Sequence, residues 1–327
     1  MGLLICSLFH GSVHLSAQVS NRTGLCFVWY NVENLFYPEN DSLPGDDEFT
    51  PEGARHWTWS RYRHKLTALA KVIIASGRGM PPELVGLCEV ENELVLKELT
   101  THPILAPYKY DYLHKEGPDH RGMEVACLIR NGWFDTVQFE NLRSGFPAES
   151  TRDMMHVTLC RGGDTLDLFL VHLLSKFTGA GSTAELRRFQ ARQLAYSMDS
   201  VYTARYDGMV LAAGDFNDEF HAYSMEPLRN ARFKGDSLTP LLPESDPGTY
   251  KFRGRWSHID QVLAIRSPGG YTVSVSTLQL PPLLTEDLEY GGMKPKRTYE
   301  GYLYLGGVSD HLPLVVDLSL YPHSLPD

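Results

Sequence analysis

The chain has 327 residues, 43% hydrophobic and 21% charged, a balance that excludes a disordered chain, a collagen-like chain and a charge-dominated tail. With 30 Lys and Arg against 40 Asp and Glu, the formal charge is −10. That excludes a protein that coats nucleic acid by overall basicity and leaves room for a local basic groove. At about 150 residues per domain the length suggests two domains, though a single α/β domain of this size is also common.

Residues 1–18, Met1 to Gln18, carry no Lys, Arg, Asp or Glu and end in the small-residue stretch Ser16-Ala17-Gln18. This reads as a secretory signal lacking a basic start, and implies an exported protein. The run is too short, and too often interrupted by His10, Ser12 and His14, to span a membrane; no later run reaches about 18 apolar residues. Stable membrane insertion is therefore not expected.

Beyond the leader, strand-length apolar runs alternate with helical periodicity, the pattern of an α/β protein. Strands are expected at Leu25–Tyr30, Leu84–Cys88, Tyr108–Leu113, Val125–Ile129, Leu166–Val171, Met209–Ala213, Ile259–Ile265 and Leu314–Leu318. Trp59–Ser76 has an apolar stripe of Leu66, Leu69, Ala70 and Ile73, with Arg61, Arg63, Lys65 and Lys71 on other faces. Ser182–Tyr202 repeats the pattern with Leu186, Phe189, Leu194, Met198 and Val201, and places Glu185 three residues after a Ser182 cap. Eight or more strands with few helices imply two stacked sheets. No segment has the length and composition of an interdomain linker, so 25–320 is read as one domain. Cys26, Cys88, Cys127 and Cys160 lie in apolar runs and are expected to be buried free thiols.

Several strands run into a residue a core would not choose: Tyr30 into Asn31, Cys88 into Glu89, Val171 into His172, and Gly214 into Asp215 followed by Asn217. Each alone has a local explanation, a turn, a helix start or an Asx motif. Together they point to a crevice at the ends of strands, where a rigid sheet aims side chains at a ligand. Asp260 sits inside an apolar run, and Asp310 and His311 precede the last strand. A buried carboxylate needs a partner, and a histidine held through Nδ1 gains basicity at its other nitrogen. Glu89, Asn31 and Asp310 are hard oxygen donors suited to Mg²⁺ or Mn²⁺, and no zinc spacing is present. A hard metal, two histidines and spare carboxylates fit hydrolysis of a phosphate ester.

The strings Trp29-Tyr30-Asn31-Val32-Glu33-Asn34-Leu35, Cys88-Glu89-Val90-Glu91-Asn92, Arg121-Gly122-Met123-Glu124, Gly214-Asp215-Phe216-Asn217-Asp218, Ser257-His258-Ile259-Asp260 and Ser309-Asp310-His311 occur in this order. From Phe27 to about Asp317 the chain resembles the endonuclease/exonuclease/phosphatase superfamily. The resemblance implies a four-layer α/β/β/α sandwich of two packed mixed sheets and a Mg²⁺-dependent phosphodiesterase or phosphomonoesterase. It makes Glu89 the principal metal ligand, with Asn31 and Asp310 beside metal and phosphate. Asp215 and Asn217 would orient water and a phosphate oxygen. His311 would be the base held by Asp260, and His172, with Glu124 as partner, would bind phosphate or protonate the leaving group. Where many relatives continue this histidine with Trp-Pro-Ser-Arg, Leu173-Leu174-Ser175-Lys176 stands here; Lys176 keeps a charge and loses the planar fork.

Three functions compete. A nuclease acting on DNA or RNA is supported by the basic and aromatic run Lys294 to Tyr304 and by Lys251, Arg253 and Arg255. A phosphatase or phospholipase acting on an inositol phosphate or lipid head group is the alternative. An inactive binding protein is disfavoured, because it has no use for a general base and its orienting acid. The protein is expected to act as a monomer.

Overall fold

The computed structural model describes residues 24–39, 47–117, 122–143, 152–176, 180–205, 208–243, 246–265 and 271–320. The leader, Cys6 and Arg121 lie outside the described residues. One mixed sheet contains β1 (Gly24–Leu35), β2 (Leu84–Val90), β3 (Tyr110–Leu113), β4 (Glu124–Arg130), β13 (Tyr271–Thr277) and β18 (Leu314–Leu320), in the order β13-β18-β1-β2-β4-β3. The other contains β5 (Thr136–Leu142), β6 (Met154–Arg161), β7 (Asp164–His172), β8 (Met209–Asp215), β9 (Leu238–Leu241) and β12 (Asp260–Ile265), in the order β5-β6-β7-β8-β12-β9. Three short hairpins complete the strands: β10 (Tyr250–Phe252) with β11 (Arg255–Ser257), β14 (Leu284–Glu286) with β15 (Met293–Pro295), and β16 (Tyr299–Glu300) with β17 (Leu303–Tyr304).

Alternation along the strands builds the layers. Phe27 and Trp29 of β1 point into an apolar layer with Leu84, Leu168, Leu170, Leu211 and Val316, between the two sheets. Val28 and Tyr30 point the other way, onto Leu66, Leu69 and Ile73 of helix α1 (Trp59–Ser76) and onto α2 (Glu93–Thr100). On the far face of the second sheet, Phe169, Val171 and Ala212 meet Leu194 and Met198 of helix α3 (Ala180–Ala204). The result is a four-layer α/β/β/α sandwich whose central strands are covered on both faces, which is why their sequences read as continuous apolar runs. Gly86 in β2 lets the sheets approach: a Cβ there would lie 2.9 Å from Leu170 Cδ2 and 3.0 Å from Trp29 Cε3. Among the described residues no helix is long and apolar enough to cross a membrane.

All eight expected strands and both helices form, with shifted edges. Ala106–Tyr108 is a 3-10 turn, so β3 begins at Tyr110 after a left-handed Lys109 (φ 53°). Helix α3 begins at Ala180, which puts Ser182 inside its first turn instead of at the cap. Its inner face near the start carries Arg187 and Gln190, both buried, while Leu186 and Phe189 are half-buried. Lys65, expected on the solvated side of α1, is also buried. β5 and β6 escaped the sequence reading because β5 is mostly exposed and β6 carries His156 and Thr158 among its apolar residues. Helix α2 has only eight residues and owes its start to Asn92, whose side chain accepts from Val95 N at 3.1 Å. Cys88 and Cys127 are buried free thiols; Cys160 is free and only half-buried.

Candidate active site

β1 and β2 run parallel in one sheet, and β7 and β8 run parallel in the other, with His172 opposite Asp215. The ends of these strands meet across the gap between the sheets. Asn31 Nδ2 donates to Glu89 Oε1 at 3.2 Å and to Asp215 Oδ2 at 3.0 Å, joining the sheets through one amide. The amide's orientation is set by its other end, because Oδ1 accepts from the backbone N–H of Glu33 at 2.9 Å. Asn31 therefore bridges Glu89 and Asp215 through its amide N–H groups, at the place where the sequence reading set it beside a metal and phosphate.

The regular ladder breaks where these residues sit. Register shifts interrupt β1 between Asn31 and Leu35 and β2 between Cys88 and Val90. Glu33, Asn34 and Glu89 all take left-handed conformations, with φ of 51°, 52° and 63°. Such strain in non-glycine residues costs on the order of 1–3 kcal/mol each and persists where the surroundings enforce it. Here it turns the N–H of Asn34 toward Glu89 Oε2, at 2.8 Å.

Asp260 opens β12, opposite Asp215 in the register. Its carboxylate accepts three hydrogen bonds: from Trp29 Nε1 at 2.9 Å, from Thr249 Oγ1 at 2.6 Å and from His311 Nδ1 at 2.6 Å. With its proton held on Nδ1, His311 turns Nε2 toward Asp215 Oδ2 and Asp310 Oδ1, each 3.9 Å away. Tyr250 packs its ring on the imidazole, centroids 4.9 Å apart. Burial by itself pulls the His311 pKa down, but the charge and hydrogen bond of Asp260, with Asp215 and Asp310 behind it, raise it well above the usual value. Burial and then the neighbouring Asp260 push Asp215 up to about 7; burial and then Asp310 push Glu33 up to about 7.

The two groups paired from sequence, His172 and Glu124, stand on different sheets. His172 Nε2 lies 2.9 Å from Arg152 Nη1, and 3.7 and 3.8 Å from Asp215 and Glu89. A guanidinium only donates, so Arg152 is the donor in this contact. Glu124 is buried at the start of β4, its carboxylate packed over Gly117. Asn217 binds Asp215 Oδ1 through its backbone N–H at 2.8 Å and the Leu173 carbonyl through Nδ2 at 2.9 Å. Lys176 is engaged with Asp218 at 2.7 Å. The basic clusters are largely spent on internal pairs: Lys251 with Asp287 (2.8 Å), Arg255 with Glu219 (2.8 Å), Lys294 with Glu300 (3.6 Å) and Arg297 with Asp310 (2.9 Å). Arg55 lies over Tyr299 and Tyr302 and Arg61 over Tyr304, and these two are also held internally, Arg55 by Glu48 at 3.0 Å and Arg61 by the carbonyls of Arg55 and His56.

Sequence reasoning missed Arg152, Thr249, Trp29 and Lys65. Trp29 alone carried a usable signal, since an indole N–H at an inward strand position needs an acceptor. The other three are separated in sequence from every motif they serve.

Two packed mixed sheets with a histidine–carboxylate dyad and clustered acids at their strand ends define a hydrolase-type α/β sandwich. The model of the Endonuclease/Exonuclease/phosphatase family matches residues 26–320, and the chain belongs to that family, whose members hydrolyse phosphoester bonds. No curated protein matches it. Among solved structures, the human Nocturnin catalytic domain with bound sulfate anion is similar at 18% identity and a TM-score of 0.58, over 91% of this chain and 95% of that one. TDP2 of D. rerio complexed with single strand DNA product matches at 15% and 0.57, over 91% and 100%. A family protein from Bacteroides thetaiotaomicron matches at 16% and 0.56, over 91% and 98%. These likenesses show a shared fold.

The family depends on a divalent metal, and the residues present fit one. Glu33, Glu89, Asp215, Asp260 and Asp310 lie together, and burial first, then the charge of a neighbouring acid, raises Glu33 and Asp215. Glu89 is partly open, and each of its oxygens accepts a single hydrogen bond from Asn31 or Asn34. Asp215, Asp260 and His311 also lie close enough to hold an ion, and Asp260 there already accepts three hydrogen bonds.

Proposed function

We propose that the chain is a Mg²⁺- or Mn²⁺-dependent phosphodiesterase of nuclease type. The observation that carries the reading is the 3.9 Å separation of His311 Nε2 and Asp215 Oδ2, with each side chain anchored from behind. The gap exceeds a hydrogen bond, and a water beside it within about 2.8 Å of both atoms is held by both. His311 Nε2 takes the proton as the water oxygen bonds to phosphorus, the bond from phosphorus to the ester oxygen opposite breaks, the alkoxide so released takes a proton from solvent water, and Asp260 stabilises the imidazolium that forms. Asn31 and Asn217 fix the two oxygens of Asp215. Arg152, beside His172, meets non-bridging phosphoryl oxygens, and Glu124 stands at the start of β4 in the other sheet, opposite Val90. Glu89 and Asp310 would hold the cation, which supplies neutralisation of phosphoryl charge when bound.

The crowded acids favour a diester over a monoester, because a diester brings one negative charge into the pocket where a monoester dianion brings two. The 65%-exposed Tyr302, with Arg55 over its ring, offers a stacking face to a nucleic acid strand. The similar TDP2 structure, with its single strand DNA product, supports the same direction. Hydrolysis of single- and double-stranded DNA, RNA, bis-p-nitrophenyl phosphate and p-nitrophenyl phosphate should be compared in Mg²⁺. Diester cleavage is expected to exceed monoester cleavage; preference for the monoester, or for an inositol phosphate, overturns the substrate assignment.

A further inference from the structure

We propose that Lys65, from the middle of helix α1, is a positioning residue of the cation site, tying together the two chain segments that aim Glu89 and Asp310; this rests on reading those two acids as the metal ligands. Lys65 is 1% exposed and is not part of the hydrolytic dyad. A buried ammonium needs acceptors, and its Nζ donates to the Glu33 carbonyl and, at 2.7 Å, to Thr298 Oγ1. Each acceptor leads to one ligand. The Glu33 carbonyl belongs to the left-handed turn Glu33-Asn34, and Asn34 N–H holds Glu89 Oε2 at 2.8 Å. Thr298 follows Arg297, whose Nη2 holds Asp310 Oδ2 at 2.9 Å.

The two segments are also clasped directly. The backbone N–H of Thr298 donates to Glu33 Oε2 at 2.6 Å, and Arg297 Nε lies 3.6 Å from Glu33 Oε1. Glu33 and Thr298 are 265 residues apart in the chain and both are buried. Without Lys65, the carbonyl of a strained turn loses its anchor to the helix layer, and only the direct clasp through the Glu33 side chain still relates Glu89 to Asp310. Groups that orient metal ligands typically change metal affinity by 10- to 100-fold when removed.

The sign of the effect separates positioning from simple electrostatics. Removing a cation beside a divalent ion tightens binding if Lys65 only repels; it weakens binding if Lys65 positions. Mg²⁺ and Mn²⁺ binding to the full chain should be measured by calorimetry for wild type, Lys65→Met, Thr298→Val, Thr298→Ser and Glu89→Ala, with near-ultraviolet circular dichroism to verify packing. Lys65→Met and Thr298→Val are expected to weaken binding roughly tenfold while KM for a diester at saturating metal stays unchanged, and Thr298→Ser to restore wild-type affinity. Unchanged or tighter binding in folded Lys65→Met or Thr298→Val overturns the proposal. Should Lys65→Met not fold, the Thr298→Val and Thr298→Ser pair decides. A wild type that binds neither metal, or a Glu89→Ala variant that binds as the wild type does, instead overturns the ligand assignment on which the proposal stands.

Discussion

Replacing Asp260 by Asn tests the dyad without changing its shape. The carboxylate accepts two donors at Oδ2, Thr249 and His311, and one at Oδ1, Trp29. An amide has one acceptor oxygen, and it satisfies more donors facing His311 and Thr249, which leaves its NH₂ against the indole N–H. That unsatisfied buried pair costs about 1–3 kcal/mol of stability. The kinetic loss is larger, because the amide can no longer stabilise an imidazolium; turnover should fall on the order of 10²- to 10⁴-fold, or about 3–5 kcal/mol of barrier. The pH dependence carries a second sign. His311 acts as a base only when neutral, and Asp260 is the leading reason its pKa stands well above the ordinary value. Activity of the wild type should therefore rise with pH and fall away as His311 protonates. In Asp260→Asn this acidic limb should move to lower pH while the plateau drops. The assay is the rate of bis-p-nitrophenyl phosphate hydrolysis across pH at saturating Mg²⁺. A plateau within threefold of the wild type, or an acidic limb that does not move, refutes the role given to Asp260.

Chelation by EDTA should abolish hydrolysis and Mg²⁺ restore it, and Glu89→Ala should raise the Mg²⁺ concentration needed for half-maximal rate; full activity in chelator would sink the cation site. In the folded protein, burial raises the thiol pKa of Cys88 well above its ordinary value and that of Cys127 to about 12, so both should resist a thiol reagent until the chain is denatured. Peptide mapping that finds either one modified in the native state, or bridged, contradicts this. Gly86→Ala should destabilise by about 1–3 kcal/mol, since its Cβ meets Leu170 and Trp29, and should also lower turnover by disturbing the indole that holds Asp260. A melting temperature within a degree of the wild type would show that the sheets do not meet as closely as described.

The strands and the site were legible for one physical reason. A strand buried on both faces is apolar throughout, so a polar residue at its end stands out, and Asn31, Glu89, His172 and Asp215 were found by that contrast. Asp260 stood out as a carboxylate inside an apolar run, and Asp310 and His311 as an acid beside a histidine before the last strand. Edge strands such as β5, with one face in water, offered no such contrast. Tertiary structure alone decided which acceptor each donor meets. The basic run ending in Arg297 looked like a phosphate contact, but the fold turns Arg297 onto Asp310 and Glu33. Lys65 looked like a solvated helix residue, because periodicity reports the face of a helix and not what lies above it. Arg152 sits beside His172 Nε2, and no spacing in the chain announces a contact between the loop before β6 and the end of β7. The sequence by itself determined the layers and the chemical inventory of the site, through local apolar pattern and residue type. The fold determined the pairings, because hydrogen bonds between segments as distant as Glu33 and Thr298 depend on a geometry that exists only once both sheets are packed.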